Sequence, residues 1–579
     1  MKHSFLFISL ILLSVVFPFN SSAIKWINPM DAGYPIIQNQ AFVNELSQTY
    51  NRMPQRAQSV IRESVWGLSK HSAGLAIHFY TNSTELKVRY KVTGGFYMHH
   101  MPSTGVSGVD LYQVDSNGNK NFCFGSYSFK DTVVYAYKNL NTPKYKKHGF
   151  EYQMYLPLYN GVSWMEFGID DNAELKFIPV YEEKPIVLYG TSIAQGACAS
   201  RPGMAWGNIV QRSLDLPLIN FGFSGSGKLD KEFIDFINEI DAQVYILDCI
   251  PNLTEKKLEE TREKVINGVK QIREKHPSTP ILLLEHAGYS NGETNYEKLD
   301  SYETANIASA QAYEILKQEQ VPNLYYLSRK DLNFSPEAWV DYVHPSDFGM
   351  VQQANVVEKK IREILHMPVG EISTTKPITQ RREPGMYEWK GRHELILQKN
   401  KKSPKKNVII GNSITHYWGG VPEASVQSGK INWEKEMNSF QNLGYGWDKI
   451  ENALWRIYHG ELDGFEAEHI ALLIGTNNLS FNSDEEIVEG LDNLIKMIKY
   501  RQPKAKIQVM GILPRRGNES RVKNINVEIK KMAESNLCTF TDAGPLLVLE
   551  NGKVNEKLFR DGLHPNNDGY NIISPLIHK

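Results

Sequence analysis

The chain has 579 residues, 41% hydrophobic and 22% charged, with a formal net charge of −1 and an isoelectric point near 7. That length exceeds one hydrophobic core and implies about three or four domains. The neutral balance argues against nucleic acid or an acidic membrane as a partner, and the basic run at 399–406 reads as a solvated edge.

Lys2 and His3 precede an apolar run at 5–19, and small residues follow up to Ala23. This reads as a cleavable signal peptide over 1–23 and not as a membrane anchor, because the run is short and no stop-transfer pattern follows. A secreted or periplasmic protein is expected. Residues 24–183 have the texture of β structure. Short runs at 75–80, 85–92, 109–114, 132–137, 151–158 and 175–181 are rich in aromatic and β-branched residues, and turn-forming clusters separate several of them. They suggest a sandwich or jelly roll.

From 184 to 368 the texture changes. Apolar runs at 186–189, 218–221, 244–248, 281–285 and 324–327 alternate with helical patterns, which signals a parallel sheet with crossover helices. A mostly polar stretch at 369–384, with Pro377 and Pro384, reads as a linker. The α/β texture returns over 385–579, with strands expected at 408–410, 440–443, 470–474, 507–511 and 539–542. Four cysteines match no zinc spacing. Cys198 and Cys249 lie near the motifs below, so a disulfide and two buried thiols both stay open.

One constellation occurs twice. The first copy reads GTSI at 190–193, NFGFSG at 220–225, DCIPN at 248–252 and DYVH at 341–344. The second reads GNSI at 411–414, NLGYGW at 442–447, IGTNN at 474–478 and DGLH at 561–564. Serine and histidine are 152 positions apart in one copy and 151 in the other. In each copy the serine, glycine-rich and asparagine motifs fall just after strands, so they share the carboxyl edge of one sheet, where open α/β sheets bind ligands.

The residue types suit ester hydrolysis. Ser192 and Ser413 are candidate nucleophiles at strand-to-helix turns, where free backbone N–H groups favour negative charge. His344 and His564 are the candidate bases, and Asp341 and Asp561, three positions earlier, are placed to hold each imidazole. An oxyanion needs donors. Candidates are the serine N–H, the N–H of Gly225 and the Asn252 amide, and in the second copy the serine N–H, the N–H of Trp447 and the Asn477 amide. This set needs no metal or other cofactor. Two further patterns are decoys. Residues 222–228 nearly spell a P-loop, but Leu229 stands where Ser or Thr would hold Mg²⁺. Residues 288–292 match GxSxG, but a polar stretch follows in place of a helix.

The four blocks resemble the SGNH (GDSL) hydrolase superfamily, in which the catalytic acid lies three residues before the histidine. The first copy is similar to a secreted subfamily with GTSI, CASRPGM and DCxPN signatures and an N-terminal β domain carrying GxDLY, here at 108–112. The second is similar to the platelet-activating factor acetylhydrolase catalytic subunit and to bacterial acetyl esterases, through NALWRI at 452–457, RQPKAKI at 501–507 and GILPR at 511–515. The resemblance implies two flavodoxin-like domains, each a parallel five-stranded sheet in three α/β/α layers, behind an all-β domain. Thr191 and Asn412 depart from the aspartate of the GDS form, and Trp447 falls where a glycine is expected. The function implied is a tandem esterase removing acetyl groups from carbohydrate such as plant polysaccharide. The rival readings are a glycan-binding protein with silent sites and a short-acyl lipid esterase.

Overall fold

The computed structural model describes residues 23–46, 48–142, 148–381 and 387–577. The expected signal peptide, apart from Ala23, lies outside the described residues.

Alternation shapes the first region. Leu86–Val92 buries Leu86, Val88 and Tyr90 and turns the residues between them outward, the period-two pattern of a strand with one wet face. Two antiparallel sheets form. One orders Ile24–Ile27, Val162–Asp170, Leu86–Val92, Val133–Tyr137 and Ser126–Ser128. The other orders Leu175–Phe177, Ala76–Thr81, Phe150–Tyr155, Asp110–Val114 and Lys120–Cys123, with Ile37–Gln38 beside Ala76–Thr81. Phe79, Tyr152, Phe167 and Phe177 meet between them, Phe79 and Phe167 edge to face at 5.1 Å.

The two later regions repeat one plan. Strands buried along their whole length, such as Ile186–Gly190 and His469–Leu473, need cover on both faces, and helices supply it. The first parallel sheet orders Leu218–Gly222, Ile186–Gly190, Val244–Asp248, Ile281–Leu284 and Leu324–Leu327. The second orders Phe440–Gly444, Asn407–Gly411, His469–Leu473, Lys506–Met510 and Thr539–Thr541. Both follow the flavodoxin-like 2-1-3-4-5 order. Register places Gly190 between Gly222 and Asp248, and Gly411 between Gly444 and Leu473. Three loops therefore leave each sheet side by side.

The regions are tied together by buried polar contacts. Asp110 of the GxDLY motif accepts hydrogen bonds from Arg201 (2.6 Å) and the Gly203 amide (2.7 Å). The stretch read as a linker is packed: Thr374, Thr375, Thr379, Gln380 and Arg381 are buried, and Arg381 pairs with Glu151 of the β region at 3.0 Å. Glu183 bonds Lys390 at 3.2 Å and His459 at 2.7 Å across the join. Burial alone would raise the Glu183 pKa, but Lys390 and His459 bring it down to about 2. Removing one member of such a pair strands a buried charge.

Candidate active site

Each candidate serine opens a helix immediately after the first strand of its sheet. Thr191 accepts a hydrogen bond from the Ile193 amide (3.3 Å), and Asn412 accepts one from the Ile414 amide (2.9 Å). These residues are the N-caps, so Thr and Asn keep a job that aspartate also performs. Ser192 and Ser413 follow as the first helical residues, and their own N–H groups have no acceptor within the helix.

The distant motifs close into the same relay twice. His344 Nδ1 lies 2.7 Å from Asp341 Oδ2, and its Nε2 lies 3.0 Å from Ser192 Oγ. His564 Nδ1 lies 2.8 Å from Asp561 Oδ2, and its Nε2 lies 2.9 Å from Ser413 Oγ. With Nδ1–H given to the carboxylate, Nε2 is free to take the serine proton. Desolvation pushes the Asp341 carboxyl up, but the His344 side chain and the Val343 and His344 amides outweigh it and hold it below its ordinary value. At Asp561 desolvation is likewise overcome, by the His564 amide, the His564 side chain and the Leu563 amide. Both acids are thus ionised at neutral pH.

The loops expected to face the oxyanion are also duplicated. Gly222 and Gly444 end the second strands, and a Cβ there would stand 2.2 Å from the Gln195 nitrogen and 2.3 Å from the His416 nitrogen. Only glycine lets the serine helix sit this close. Gln195 and His416, each three residues after its serine, then accept the amides of Ser224 (3.0 Å) and Gly446 (3.2 Å). The next residues, Gly225 and Trp447, take φ of 65° and 63°. Among the described residues neither of their N–H groups has a protein acceptor. A Cβ built on Gly225 meets nothing within 4 Å, which explains how tryptophan occupies the equivalent position. Its indole points outward and is 51% exposed.

Asn252 accepts from the Gly227 amide at 3.1 Å and lines the same cavity as Ser192. Asn477 donates one N–H to the Asp448 carbonyl at 2.9 Å and retains the other. Ser192, Gly225, Asn252 and His344 thus share one cavity, with Asp341 bound to His344. Ser413, His564 and Asp561 are joined by hydrogen bonds, and Trp447 and Asn477 lie on the loops after strands Phe440–Gly444 and His469–Leu473. Cys198 and Cys249 are free thiols, directed at the carbonyls of His100 and Tyr189. Neither decoy has the setting its motif requires. Gly222 ends a strand and the residues after it form turns. Ser290 lies in a turn, although, against expectation, the 3-10 segment Gly292–Thr294 and the helix Tyr296–Gln318 follow it. Ser290 bonds the Tyr342 and Asp341 carbonyls, and Gly227 serves Asn252.

Other contributors left less trace in the sequence. Arg52, fully buried, donates to the carbonyls of Asn220 (2.9 Å) and Gly222 (2.8 Å) behind the first oxyanion loop. Arg392, from helix Trp389–Lys402, reaches the equivalent carbonyls of Gly444 (3.0 Å) and Asn442 (3.5 Å). Tyr159 bonds the Ser192 carbonyl at 3.1 Å. Asp347, at the start of the helix after His344, holds the Ser200 amide at 2.8 Å, which ties the histidine loop to the segment clamped by Asp110. The repeated spacing of Gln195 and His416 was a usable signal; the arginines, which bind backbone far along the chain, left none.

The first cluster lines a cavity of about 520 Å³ whose wall includes Lys228, Thr254, Glu255, Tyr289, Lys298 and Tyr342. Among the described residues no helix is long and apolar enough to cross a membrane.

Models described as the GDSL-like lipase/acylhydrolase family match residues 183–362 and 409–572. A model of the GxDLY N-terminus of SGNH-hydrolase-type esterases matches 24–175. A GDSL-like lipase of Bacteroides ovatus is 30% identical, with a TM-score of 0.54 over 59% of this chain and 98% of its own. Human platelet-activating factor acetylhydrolase IB subunit alpha1 is 24% identical over 36% of this chain and 89% of its own length. The bovine alpha2 subunit is 35% identical over 24% of this chain and 62% of its own. The chain belongs to the GDSL-like lipase/acylhydrolase family, carries two such domains behind a GxDLY domain, and is a carboxylic ester hydrolase.

Proposed function

We propose that both relays are catalytic and that the enzyme removes short acyl groups, acetyl above all, from carbohydrate outside the cytoplasm. Ser192 and Ser413 attack the ester carbonyl as His344 and His564 take their protons. Asp341 and Asp561 steady the imidazolium. The oxyanion meets the serine N–H with Gly225 and Asn252 in one site, and with Trp447 and Asn477 in the other. Each such donor supplies about 3–4 kcal/mol of barrier reduction. Collapse returns the proton to the departing sugar oxygen, and water then hydrolyses the acyl-serine. On this reading the chain works as a β-sandwich at 24–183, hydrolase domains at 184–368 and 385–579, and a join at 369–384.

The observation that carries the substrate class is the wall of the first cavity. Lysine, glutamate, threonine, serine and two tyrosines surround the serine, a lining suited to a hydroxyl-rich leaving group and ill suited to a long acyl chain. At the second site the outward indole of Trp447 offers a flat apolar face at the rim, the surface on which a sugar ring stacks. The acetylhydrolase relatives support acetyl as the acyl group, and the apolar run at 5–19 supports export to where plant polysaccharide is met. Acetate release from acetylated xylan and pectin, compared with hydrolysis of acetyl and octanoyl nitrophenyl esters, tests the reading. Release from polysaccharide with a preference for acetyl is expected. A preference for octanoyl, with no release from polysaccharide, overturns it.

A further inference from the structure

The first relay has a neighbour that hydrolysis does not use. His100, from the β region, lays its ring against His344, with centroids 5.5 Å apart and planes 20° from parallel. Cys198, six residues after Ser192, turns its thiol toward the same spot and bonds the His100 carbonyl at 3.3 Å. It does so with φ of 68°, a left-handed conformation that is rare outside glycine. His100, Cys198, Asp341 and His344 each offer a ligand atom, and these four atoms lie within 4.8 Å of one another.

Two imidazoles, a thiol and a carboxylate form a donor set suited to zinc. Tetrahedral zinc, with bonds of about 2.0–2.3 Å, sets its ligand atoms roughly 3.3–3.8 Å apart. Closing the cluster by about an ångström is within reach of His100, which is exposed. Among the described residues the second copy has no such set. Gly419, with φ of 153°, stands where Cys198 does, and the ring packed on His564 is that of Tyr417, at 5.1 Å.

We propose that His100, Cys198, Asp341 and His344 form a zinc site at which a thiophilic divalent cation reversibly switches off the first relay and leaves the second working. Binding displaces the thiol proton to solvent and ties up a ring nitrogen of His344, so the serine loses its base. The cation is an inhibitor here and takes no part in hydrolysis. The inhibition half of the proposal rests on Ser192 being the nucleophile of the first site; the binding half does not.

The test uses the full chain with Zn²⁺ for inhibition and Co²⁺ as a spectroscopic probe. Ser413→Ala, which retains only the first site, is expected to lose at least tenfold in acetate release on adding Zn²⁺ and to recover with EDTA. Ser192→Ala, which retains only the second, is expected to keep its rate. His100→Ala and Cys198→Ser, each measured against its own metal-free rate, are expected to need at least tenfold more Zn²⁺. Co²⁺ is expected to bind the wild type one to one with a thiolate-to-cobalt charge-transfer band that Cys198→Ser lacks. Equal inhibition of both serine variants, unchanged zinc sensitivity in His100→Ala and Cys198→Ser, or no thiolate band overturns the proposal. An inactive Ser413→Ala whose band is intact would count instead against the first relay as a catalyst.

Discussion

The two hydrolase regions hold the same relay but support it from different sources. In the first, the β region reaches in: Arg52 clamps the oxyanion loop, Tyr159 holds the serine carbonyl, and Asp110 fixes the segment that restrains the histidine loop. In the second, helix Trp389–Lys402 supplies Arg392 for the equivalent carbonyls, and the acid of the relay is more open to solvent. The Asp561 side chain is 52% exposed against 28% for Asp341. The catalytic geometry is thus fixed by the sheet edge, while enclosure is supplied by whatever packs behind it.

This difference in enclosure sets the largest expected contrast. Asp341→Asn should lower acetate release by the first site, read in a Ser413→Ala background, by roughly 10³–10⁴-fold through loss of the correct tautomer. Asp561→Asn, read in a Ser192→Ala background, should cost about tenfold less, because water screens and replaces part of a half-exposed carboxylate. Equal losses would show that enclosure does not matter.

The arginine clamps come next. Arg52→Ala leaves the carbonyls of Leu68, His71, Asn220 and Gly222 without their donor. A loss of about 3 kcal/mol in urea unfolding is expected, with a smaller loss for Arg392→Ala, whose contact to Asn442 is longer. The reverse ranking would contradict the assigned roles.

A pH contrast follows from Gln195 and His416. Burial, then the Arg392 and Arg456 charges, lower the His416 pKa to about 2, whereas an unfolded histidine titrates near 6.5. Below about 6.5 the unfolded chain takes up a proton that the folded chain refuses, so this contribution is present above that pH and is lost as pH falls. Gln195 does the same work without titrating. Between pH 7 and pH 5, His416→Gln should therefore lose about 2 kcal/mol less stability than the wild type. Equal losses would remove His416 as the cause.

The smallest effect concerns Trp447. Its left-handed backbone costs about 1 kcal/mol, so Trp447→Gly should be more stable by about that amount. Read in a Ser192→Ala background, it should keep its turnover of nitrophenyl acetate while its KM for polysaccharide rises. Loss of turnover on the small ester would mean that the indole does more than hold sugar.

Much of this was legible in the sequence because it is local. The strands before each serine are apolar along their length, and the serine, asparagine and DxxH motifs carry their chemistry in a few adjacent positions. The strand Val162–Asp170 was not anticipated: Glu166 and Gly168 interrupt its apolar pattern, and its burial comes from pairing with Leu86–Val92. Arg52 and Arg392 were hidden because a side chain that satisfies remote carbonyls has no spacing rule. The packed state of Thr374–Arg381 was hidden for a related reason, since its polar residues find partners in other regions, as Arg381 does in Glu151. Trp447 departs from the expected glycine, and the open space at Gly225 shows why a side chain is tolerated at the equivalent position.

The central claim is that two complete relays operate in one chain. Acetate release from acetylated xylan by Ser192→Ala, Ser413→Ala and the double variant tests it directly. Each single variant should retain the share of the intact site, and the double variant should fall by at least about 10³-fold. Full loss in one single variant, or release persisting in the double variant, would contradict it.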